Sequence, residues 1–144
     1  MNHVGIFNVA VAVLIEKNGK ILITKRSPNR DHGANEWEPG ITGRVEQNEK
    51  IEDALHREVK EEIGIEVEII SPFRTFHFYR GKEEAEHQGV NYWCKYKSGN
   101  IVLDQKEQTE YKWVTPEESL KYLTNMDVKE SVIHFTKFRK NFVL

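Results

Sequence analysis

The sequence has too few cysteines, too little imbalance of charge and too short apolar runs for several classes of protein. Its one cysteine, Cys94, cannot form an internal disulfide, which is typical of proteins from a reducing compartment. No apolar run approaches the roughly 20 residues that a membrane-spanning helix needs. The first residues lack the basic start and the small-residue cleavage site of a signal peptide. These absences favour a cytoplasmic protein that does not enter a membrane.

Neither sign of charge is in excess. The formal net charge is −2, from 21 Lys and Arg against 23 Asp and Glu, and the two signs are mixed along the chain. No global basic field is therefore available for stable binding of nucleic acid or of anionic lipid, and a small anionic substrate has to be bound by local groups. A chain of 144 residues, 38% of them hydrophobic, suits a single domain over residues 1–144. The sequence leaves open whether the protein forms a homodimer.

Strand patterns lie on both sides of one long helix. Two β-rich runs, Phe7 to Ile15 and Lys20 to Lys25, flank the pair Asn18-Gly19, which is typical of a hairpin. A loop rich in Gly, Pro, Asn and Asp leads to a short extended piece at Ile41 to Val45. Further strands are predicted in IEVEII, RTFHFYR, VNYWCKY and EYKWVT, then a short helix in PEESLKYL and a last helix over Val128 to Lys140. This order predicts a mixed sheet covered by helices.

The long helix is predicted over Glu49 to Ile63. Asn48 is the expected N-cap, and Gly64 is the expected left-handed residue that ends the helix. The apolar residues of this segment fall on one arc of the helix, which should face the core.

Three glutamates of this helix lie in or beside that apolar arc. At about 100° per residue, Glu58 and Glu62 point into the arc and Glu61 borders it. An unpaired carboxylate there is costly, and Arg57 and Lys60 point elsewhere, so the helix is not expected to supply a partner for Glu58 and Glu62. A divalent cation would compensate both the burial and the mutual repulsion, and carboxylate oxygens suit Mg²⁺ or Mn²⁺. The alternative, a solvated charged edge, disagrees with the position on the arc.

The stretch GRVEQNEKIEDALHREVKEEIGI, residues 43–65, resembles the Nudix box G-x5-E-x7-R-E-U-x-E-E-x-G-U, where U is a bulky aliphatic residue. The matching residues are Gly43, Glu49, Arg57, Glu58, Val59, Glu61, Glu62, Gly64 and Ile65. The sequences EWEPG before the box and EQTEYKWVTPEE after it extend the resemblance over residues 5–125. It implies a Nudix-type α/β/α sandwich with a mixed central β-sheet and the catalytic helix at about 49–63. It also implies hydrolysis of a nucleoside diphosphate linked to another moiety, such as a nucleoside triphosphate.

The resemblance further implies roles for single residues. Glu58, Glu61 and Glu62 would ligate Mg²⁺, with Mn²⁺ as the alternative. Glu49 and Arg57 would orient the loop before the helix and the carboxylates themselves.

The residues at the start of the box depart from the most frequent pattern. Many family members carry two adjacent glycines where this chain has Thr42 and Gly43. Gly43 is implied to shape the loop before the helix, and the carbonyl of the residue before it often contacts the metal. A threonine carbonyl can do the same, so Thr42 is a further candidate ligand. The identity of the substrate stays open.

A later glutamate often serves as metal ligand or general base in this family. The candidates, in order of preference, are Glu107, Glu110, Glu84 and Glu86. Glu107 lies in the polar stretch DQKEQTEYKW, where no apolar periodicity explains a carboxylate, although a solvated loop charge is the alternative. Arg26 and Arg44 are candidates for pairing with phosphate oxygens, or are surface arginines.

Some aromatic and histidine side chains could contact a substrate. The base-stacking candidates are Trp37, Phe76, Tyr79 and Trp93, and core packing is the favoured alternative for each. His77 and His87 flank the charged stretch RGKEEAEHQG, and their spacing does not favour a metal pair.

Two rival functions are compatible with this fold. A catalytically silent nucleotide sensor would normally have lost part of the glutamate cluster, which is complete here. An isomerase of the isopentenyl diphosphate type needs a catalytic cysteine, whereas Cys94 lies in the strand-like run NYWCKY and is interpreted as a packing residue. The sequence therefore favours a metal-dependent hydrolase.

Overall fold

The computed structural model describes residues 3–81 and 83–143. The elements are β1 (Asn8–Lys17), β2 (Lys20–Arg26), β3 (Trp37–Pro39), β4 (Ile41–Arg44), α1 (Ile51–Ile63), β5 (Glu66–Arg80), β6 (Ala85–Ser98), β7 (Gln108–Val114), α2 (Pro116–Ser119) and α3 (Met126–Asn141). This is the predicted order of strands, helix, strands and helices. Within the described ranges, no helix is both long enough and apolar enough to cross a membrane.

The strands form one mixed sheet in the order β3-β2-β1-β6-β5, with β4 paired to β1 and β7 paired to β2. Strand β1 lies parallel to β6 and antiparallel to β2 and β4. Its first half, Ala10 to Val13, pairs with β4, and its end, Glu16 and Lys17, pairs with β2. Strand β1 thus brings β4, the strand just before α1, to the middle of the sheet.

Helices cover both faces of the sheet, as the predicted α/β/α sandwich requires. Side chains alternate between the faces along a strand, so Val11 and Val13 pack in one cluster with Leu55 of α1. Leu14 faces the other way and packs in a second cluster with Phe135 of α3. Leu55 and Phe135 are both fully buried, and each contributes about 1.5–3 kcal/mol of hydrophobic stabilisation.

Helix α1 begins slightly later than predicted, and the N-cap prediction is wrong. Lys50 is the N-cap and makes no side-chain capping bond. Asn48 adopts a left-handed conformation with φ 65°, as asparagine tolerates in turns. Glu49 lies before the helix, and its Oε1 accepts a hydrogen bond from the backbone N–H of Glu46 at 2.9 Å. A polar turn therefore precedes α1.

The other differences from the predicted elements are local. Gly64 ends α1 in the left-handed conformation, as predicted, with φ 76°. Strand β5 is continuous from Glu66 to Arg80, where two strands were expected, because it pairs with β6 along its length through register shifts that accommodate Pro72. Strand β3 was not predicted, since its three residues carry no period and are held only by pairing with β2. Helix α2 is shorter than PEESLKYL and ends at Ser119.

Candidate active site

Helix α1 directs its three glutamates as the helical arc predicts. Glu62 is buried, Glu58 is half-buried and Glu61 is exposed. Strand β4 approaches α1 closely at Gly43, because a Cβ atom built there would lie 2.4 Å from Cγ of Glu58. Only glycine permits this approach, which holds the Glu58 side chain against β4.

Arg57 connects the carboxylates around the start of α1. Its Nε and Nη2 donate to both carboxylate oxygens of Glu49, at 2.8 and 2.9 Å. Its Nη1 donates to Glu58 at 2.8 Å and to Glu61 at 3.3 Å, and Nη2 also donates to the carbonyl of Arg44 at 3.0 Å. The prediction that α1 supplies no cation to Glu58 is therefore wrong, because the long arginine side chain folds back to a neighbour that the helical arc separates from it.

The pair of Arg57 and Glu49 remains ionised over a wide pH range. The hydrogen bonds from Arg57 lower the pKa of Glu49 to about 2, and the same contacts raise the pKa of Arg57. A bidentate pair of this kind fixes the direction of both side chains. It therefore fixes how far Arg57 reaches towards Glu58.

Glu62 is the most perturbed carboxyl group of the site. Burial, followed by the negative charges of Glu58 and Glu38, raises its pKa to about 8. Its Oε2 accepts a hydrogen bond from Nε2 of Gln108 at 3.2 Å, and no lysine or arginine pairs with it in the described ranges. Here the expectation that α1 supplies no partner holds. The Oε1 atom of Gln108 is itself buried and has no partner among the described residues.

The loop before β7 folds over the end of α1. The backbone N–H of Asp104 donates to the carbonyl of Glu62 at 2.8 Å, and that of Val102 donates to the carbonyl of Ile63 at 3.0 Å. This brings Glu107 to the same cleft as Glu62, where it forms an ion pair with Arg30.

The other candidates for the later glutamate lie elsewhere. Glu110 pairs with Lys25 at 3.4 Å and does not line the cleft of Glu62. Glu86 pairs with His77 at 2.7 Å. Glu84 adopts a left-handed conformation in the turn between β5 and β6. Position therefore separates Glu107 from these alternatives.

The carboxylates meet arginines in one cleft of about 410 Å³, which we call the carboxylate cleft. Its charged residues include Glu58, Glu62, Glu107, Arg30, Arg44 and Arg80. Thr42 and Gly43 also line it, whereas Glu61 lies at the exposed surface beside it. In residues 3–81 and 83–143, no three His, Cys, Asp or Glu residues are arranged around a common point as a bound cation requires. Arg57 holds Glu58 and Glu61 instead.

Arg26 lies apart from this cleft. Its Nη1 pairs with the buried carboxylate of Glu38 at 3.2 Å, and its Nε donates to the carbonyl of His32 at 2.9 Å. Burial raises the pKa of Glu38, and the charge of Arg26 opposes that shift. The sequence does not reveal this pairing, which engages the guanidinium that was predicted to bind phosphate. Arg44, by contrast, is exposed at the carboxylate cleft.

A second cleft of about 330 Å³, the aromatic cleft, adjoins the first and shares Thr42 and Arg80 with it. Three of the predicted stacking residues, Trp37, Phe76 and Tyr79, line it.

Of the remaining candidates, Trp93 and Cys94 belong to the core, whereas His87 lines the carboxylate cleft. Trp93 lies in the core, where it packs against Phe135 with ring centroids 5.7 Å apart. Cys94 is fully buried, and burial raises its pKa to about 12, which agrees with a packing role. His87 is buried and stacks on Phe78, with 4.5 Å between the ring centroids.

Two arginines that line the clefts, Arg30 and Arg80, and the Gln108 that bonds to Glu62 were not predicted from the sequence. Arg30 and Arg80 lie in or beside turns rich in charge, where the sequence gives no sign of which charges converge. Gln108 is almost fully buried although it comes from a polar stretch. Its neighbour Glu107 was selected from that stretch, but no local pattern indicates that Gln108 faces the helix and bonds to Glu62.

Comparison with known proteins supports the resemblance that the Nudix box indicates. The model of the NUDIX domain matches residues 6–135. The chain is 33% identical over 125 residues to CTP pyrophosphohydrolase of Escherichia coli (strain K12), covering 78% of each chain. It is 29% identical over 131 residues to nucleoside triphosphatase NudI of Escherichia coli O17:K52:H18, covering 85% of this chain and 92% of that one. The fold is similar to that of a MutT protein from Methanosarcina mazei Go1, with a TM-score of 0.74, 24% identity, and coverage of 93% and 94%.

Proposed function

Because this chain belongs to the Nudix family of hydrolases, we propose that it hydrolyses a phosphoanhydride bond of a nucleoside triphosphate or a related pyrophosphate with the help of Mg²⁺. The observation that carries the proposal is the buried carboxylate of Glu62, which has no lysine or arginine partner among the described residues and lies with Glu58 and Glu107 in the carboxylate cleft. The names of the two curated relatives, a CTP pyrophosphohydrolase and a nucleoside triphosphatase, support the substrate class.

The oxygen donors of this cleft fit a divalent cation. Glu62 lacks a cationic partner in the described ranges. Its pKa is raised by burial first and by the charges of Glu58 and Glu38 second, and a bound cation would oppose both effects. We assign Glu58, Glu61, Glu62 and the carbonyl of Thr42 as its ligands, with Mn²⁺ as an alternative to Mg²⁺. Bound there, the cation supplies positive charge for phosphate oxygens and makes water more acidic. For this arrangement, Arg57 has to release Glu58 and Glu61 while it keeps its two bonds to Glu49.

The chain's own residues then position substrate and water. In the reaction, a water oxygen bonds to phosphorus, the bridging P–O bond of the anhydride breaks, and one proton of the water is accepted by a base. Glu107 is the proposed base, since it lines the cleft and lies on the loop that is bonded to α1. Arg30 now holds its carboxylate. A phosphate oxygen that took the place of Glu107 on Arg30 would free this carboxylate.

Arginines of the two clefts are the proposed groups that bind or position the phosphates of the substrate. Arg44 lies exposed beside the glutamates, and its guanidinium suits a phosphate oxygen pair. For Arg26, we propose an indirect part, because Glu38 already holds it. Through Glu38, Arg26 fixes the wall of the aromatic cleft, which both residues line. The aromatic rings of that cleft suit a nucleobase.

The test is a panel of nucleoside triphosphates and related pyrophosphates with and without Mg²⁺, read by the release of phosphate or pyrophosphate. We expect turnover only with the cation. In Glu62→Gln, kcat should fall about 10²- to 10³-fold, the size of loss seen when one electrostatic stabiliser is removed. The matched control is Glu66→Gln, because Glu66 is exposed and pairs with Lys60 outside the cleft. Binding without release of phosphate would contradict the proposal and identify a sensor instead.

A further inference from the structure

Arg80, the last residue of β5, is a partly buried cation without a hydrogen-bonded or salt-bridge partner in the part of the chain that the structure describes. Its Nε atom is inaccessible to solvent and has no hydrogen-bond partner among the described residues. Within residues 3–81 and 83–143, no carboxylate forms a salt bridge with it, although Glu38 and Asp31 lie near enough to act on its charge. A buried donor without a partner is uncommon in folded proteins and requires an explanation.

The two neighbouring arginines have carboxylate partners. Arg26 pairs with Glu38, and Arg30 pairs with Glu107. Burial lowers the pKa of Arg80, and the charges of Arg26 and Arg30 add to this effect. Glu38 and Glu107 are therefore engaged by the other two arginines, and Asp31 acts on Arg80 through its charge without a salt bridge among the described residues. An external anion would restore the balance at Arg80.

The position of Arg80 indicates where such an anion would bind. Arg80 lines both the carboxylate cleft and the aromatic cleft. Its guanidinium lies over the ring of Phe78, 4.9 Å from the centroid, and Phe78 in turn stacks on the buried His87. This stack restricts the direction of the guanidinium before any ligand is present, which reduces the ordering cost of binding.

We infer that Arg80 binds the phosphate group attached to the nucleoside of the substrate, at the junction of the two clefts. The inference rests on the proposed function and refines it. A nucleoside in the aromatic cleft has to extend its phosphates past Arg80 to reach the glutamates. A guanidinium matches the paired oxygens of a phosphate. Arg80 would therefore make the site select nucleotides over nucleosides, a property that the glutamate cluster does not provide by itself.

The test is equilibrium binding rather than turnover. Isothermal titration calorimetry with Mg²⁺ present would use the four common ribonucleoside 5′-monophosphates and the corresponding nucleosides. In Arg80→Gln, we expect the tightest monophosphate to lose about 10- to 100-fold in affinity, the usual effect of a charge-assisted hydrogen bond. The affinity for the nucleoside should stay unchanged. Arg80→Lys should recover part of the loss, because it keeps the charge without the planar fork.

Arg139→Gln is the matched control, because Arg139 pairs with Glu16 at 2.6 Å and lines neither cleft. It should bind both ligands as the wild type does. Equal monophosphate affinity in wild type and Arg80→Gln would overturn the inference, and so would an equal loss for the nucleoside or a wild type that does not prefer the monophosphate. If selective loss in Arg80→Gln occurs while the nucleotide panel yields no phosphate, the inference stands and the proposed hydrolase function fails.

Discussion

At the residue scale, Arg57 determines how negative charge is distributed around the start of α1. Its single guanidinium bonds to Glu49, Glu58 and Glu61, and two of its three nitrogens donate hydrogen bonds to Glu49. The bond to Glu61 is the longest of the set, at 3.3 Å, and Glu61 is exposed. The contacts with Glu58 and Glu61 are therefore the ones that a cation could replace without disturbing the pair of Arg57 and Glu49.

Glu107 lines the carboxylate cleft and Glu110 does not, so the two glutamates should differ in their effect on kcat. Glu107→Gln should lower kcat by about 10²- to 10⁴-fold, the usual contribution of a general base. Glu110→Gln should leave kcat near the wild-type value, because Glu110 is exposed and pairs with Lys25 outside the carboxylate cleft. Steady-state kinetics of the two variants side by side are the measurement. A large drop only at Glu110 would move the role there.

The sequence predicted directions of side chains well and their partners poorly. The helical period places Glu58 and Glu62 on the buried side of α1 because that side depends only on the backbone. The reach of Arg57 and the burial of Gln108 depend on flexible side chains and on a loop that arrives from far along the chain. Such contacts have no local pattern, so Arg30 and Arg80 were missed, and Arg26 was assigned without the Glu38 that pairs with it. Arg44, which was predicted, does line the carboxylate cleft.

At the element scale, the order and type of the long strands and helices could be predicted. The joints between them, that is, the turns and the short strand that connect them, could not. The β-rich apolar run of β1 and the apolar arc of α1 are signals that extend over many residues. Strand β3 and the turn before α1 are short, and their form depends on pairing with β2 and on the Glu49 contact. The site is built largely at these joints. The glutamates of the site could therefore be identified from the Nudix box, whereas the distances and contacts between the site residues could not.

Gly40 lies at such a joint, between β3 and β4. It has φ +67°, and a Cβ atom there would lie 1.7 Å from the carbonyl oxygen of Val13 in β1. Gly40→Ala should lower the free energy of unfolding by about 2–5 kcal/mol, from left-handed strain of about 1–2 and overpacking of about 1–3 kcal/mol. Chemical denaturation at equilibrium is the measurement.

Gly19→Ala provides the matched control for Gly40→Ala. Gly19 has φ +78° in the β1-β2 turn, and a Cβ atom there meets nothing within 4 Å. Only the left-handed strain applies, so the loss should be about 1–2 kcal/mol. An equal loss in both variants would mean that the close approach of β1 to the β3-β4 joint does not constrain the fold.

At the scale of the whole molecule, the sheet separates the helix that carries the glutamates from the helix that contributes to the aromatic cleft. Helix α1 covers one face and carries the glutamates, and the loop before β7 is bonded to the end of that helix. On the other face, Asn125, the N-cap of α3, and Asp127 in its first turn line the aromatic cleft, while the middle of α3 packs Phe135 into the core. The substrate would therefore lie across one end of the sandwich, in contact with both layers.

The last prediction concerns the stability of the whole chain with and without Mg²⁺. A cation that binds only the folded state at 100 times its Kd should stabilise it by about 2.7 kcal/mol, which raises Tm by about 5–10 °C for a chain of this size. In Glu62→Gln, the Tm without cation should not fall, because the variant removes a buried acid whose charged form burial disfavours and keeps a group that can bond to Gln108. The shift with Mg²⁺ should shrink in this variant. Thermal unfolding followed by circular dichroism, with NaCl at matched ionic strength as control, measures both effects. A clear loss of Tm in cation-free Glu62→Gln would instead indicate that the carboxylate supports the fold, and an equal Mg²⁺ shift in both proteins would remove Glu62 from the ligand set.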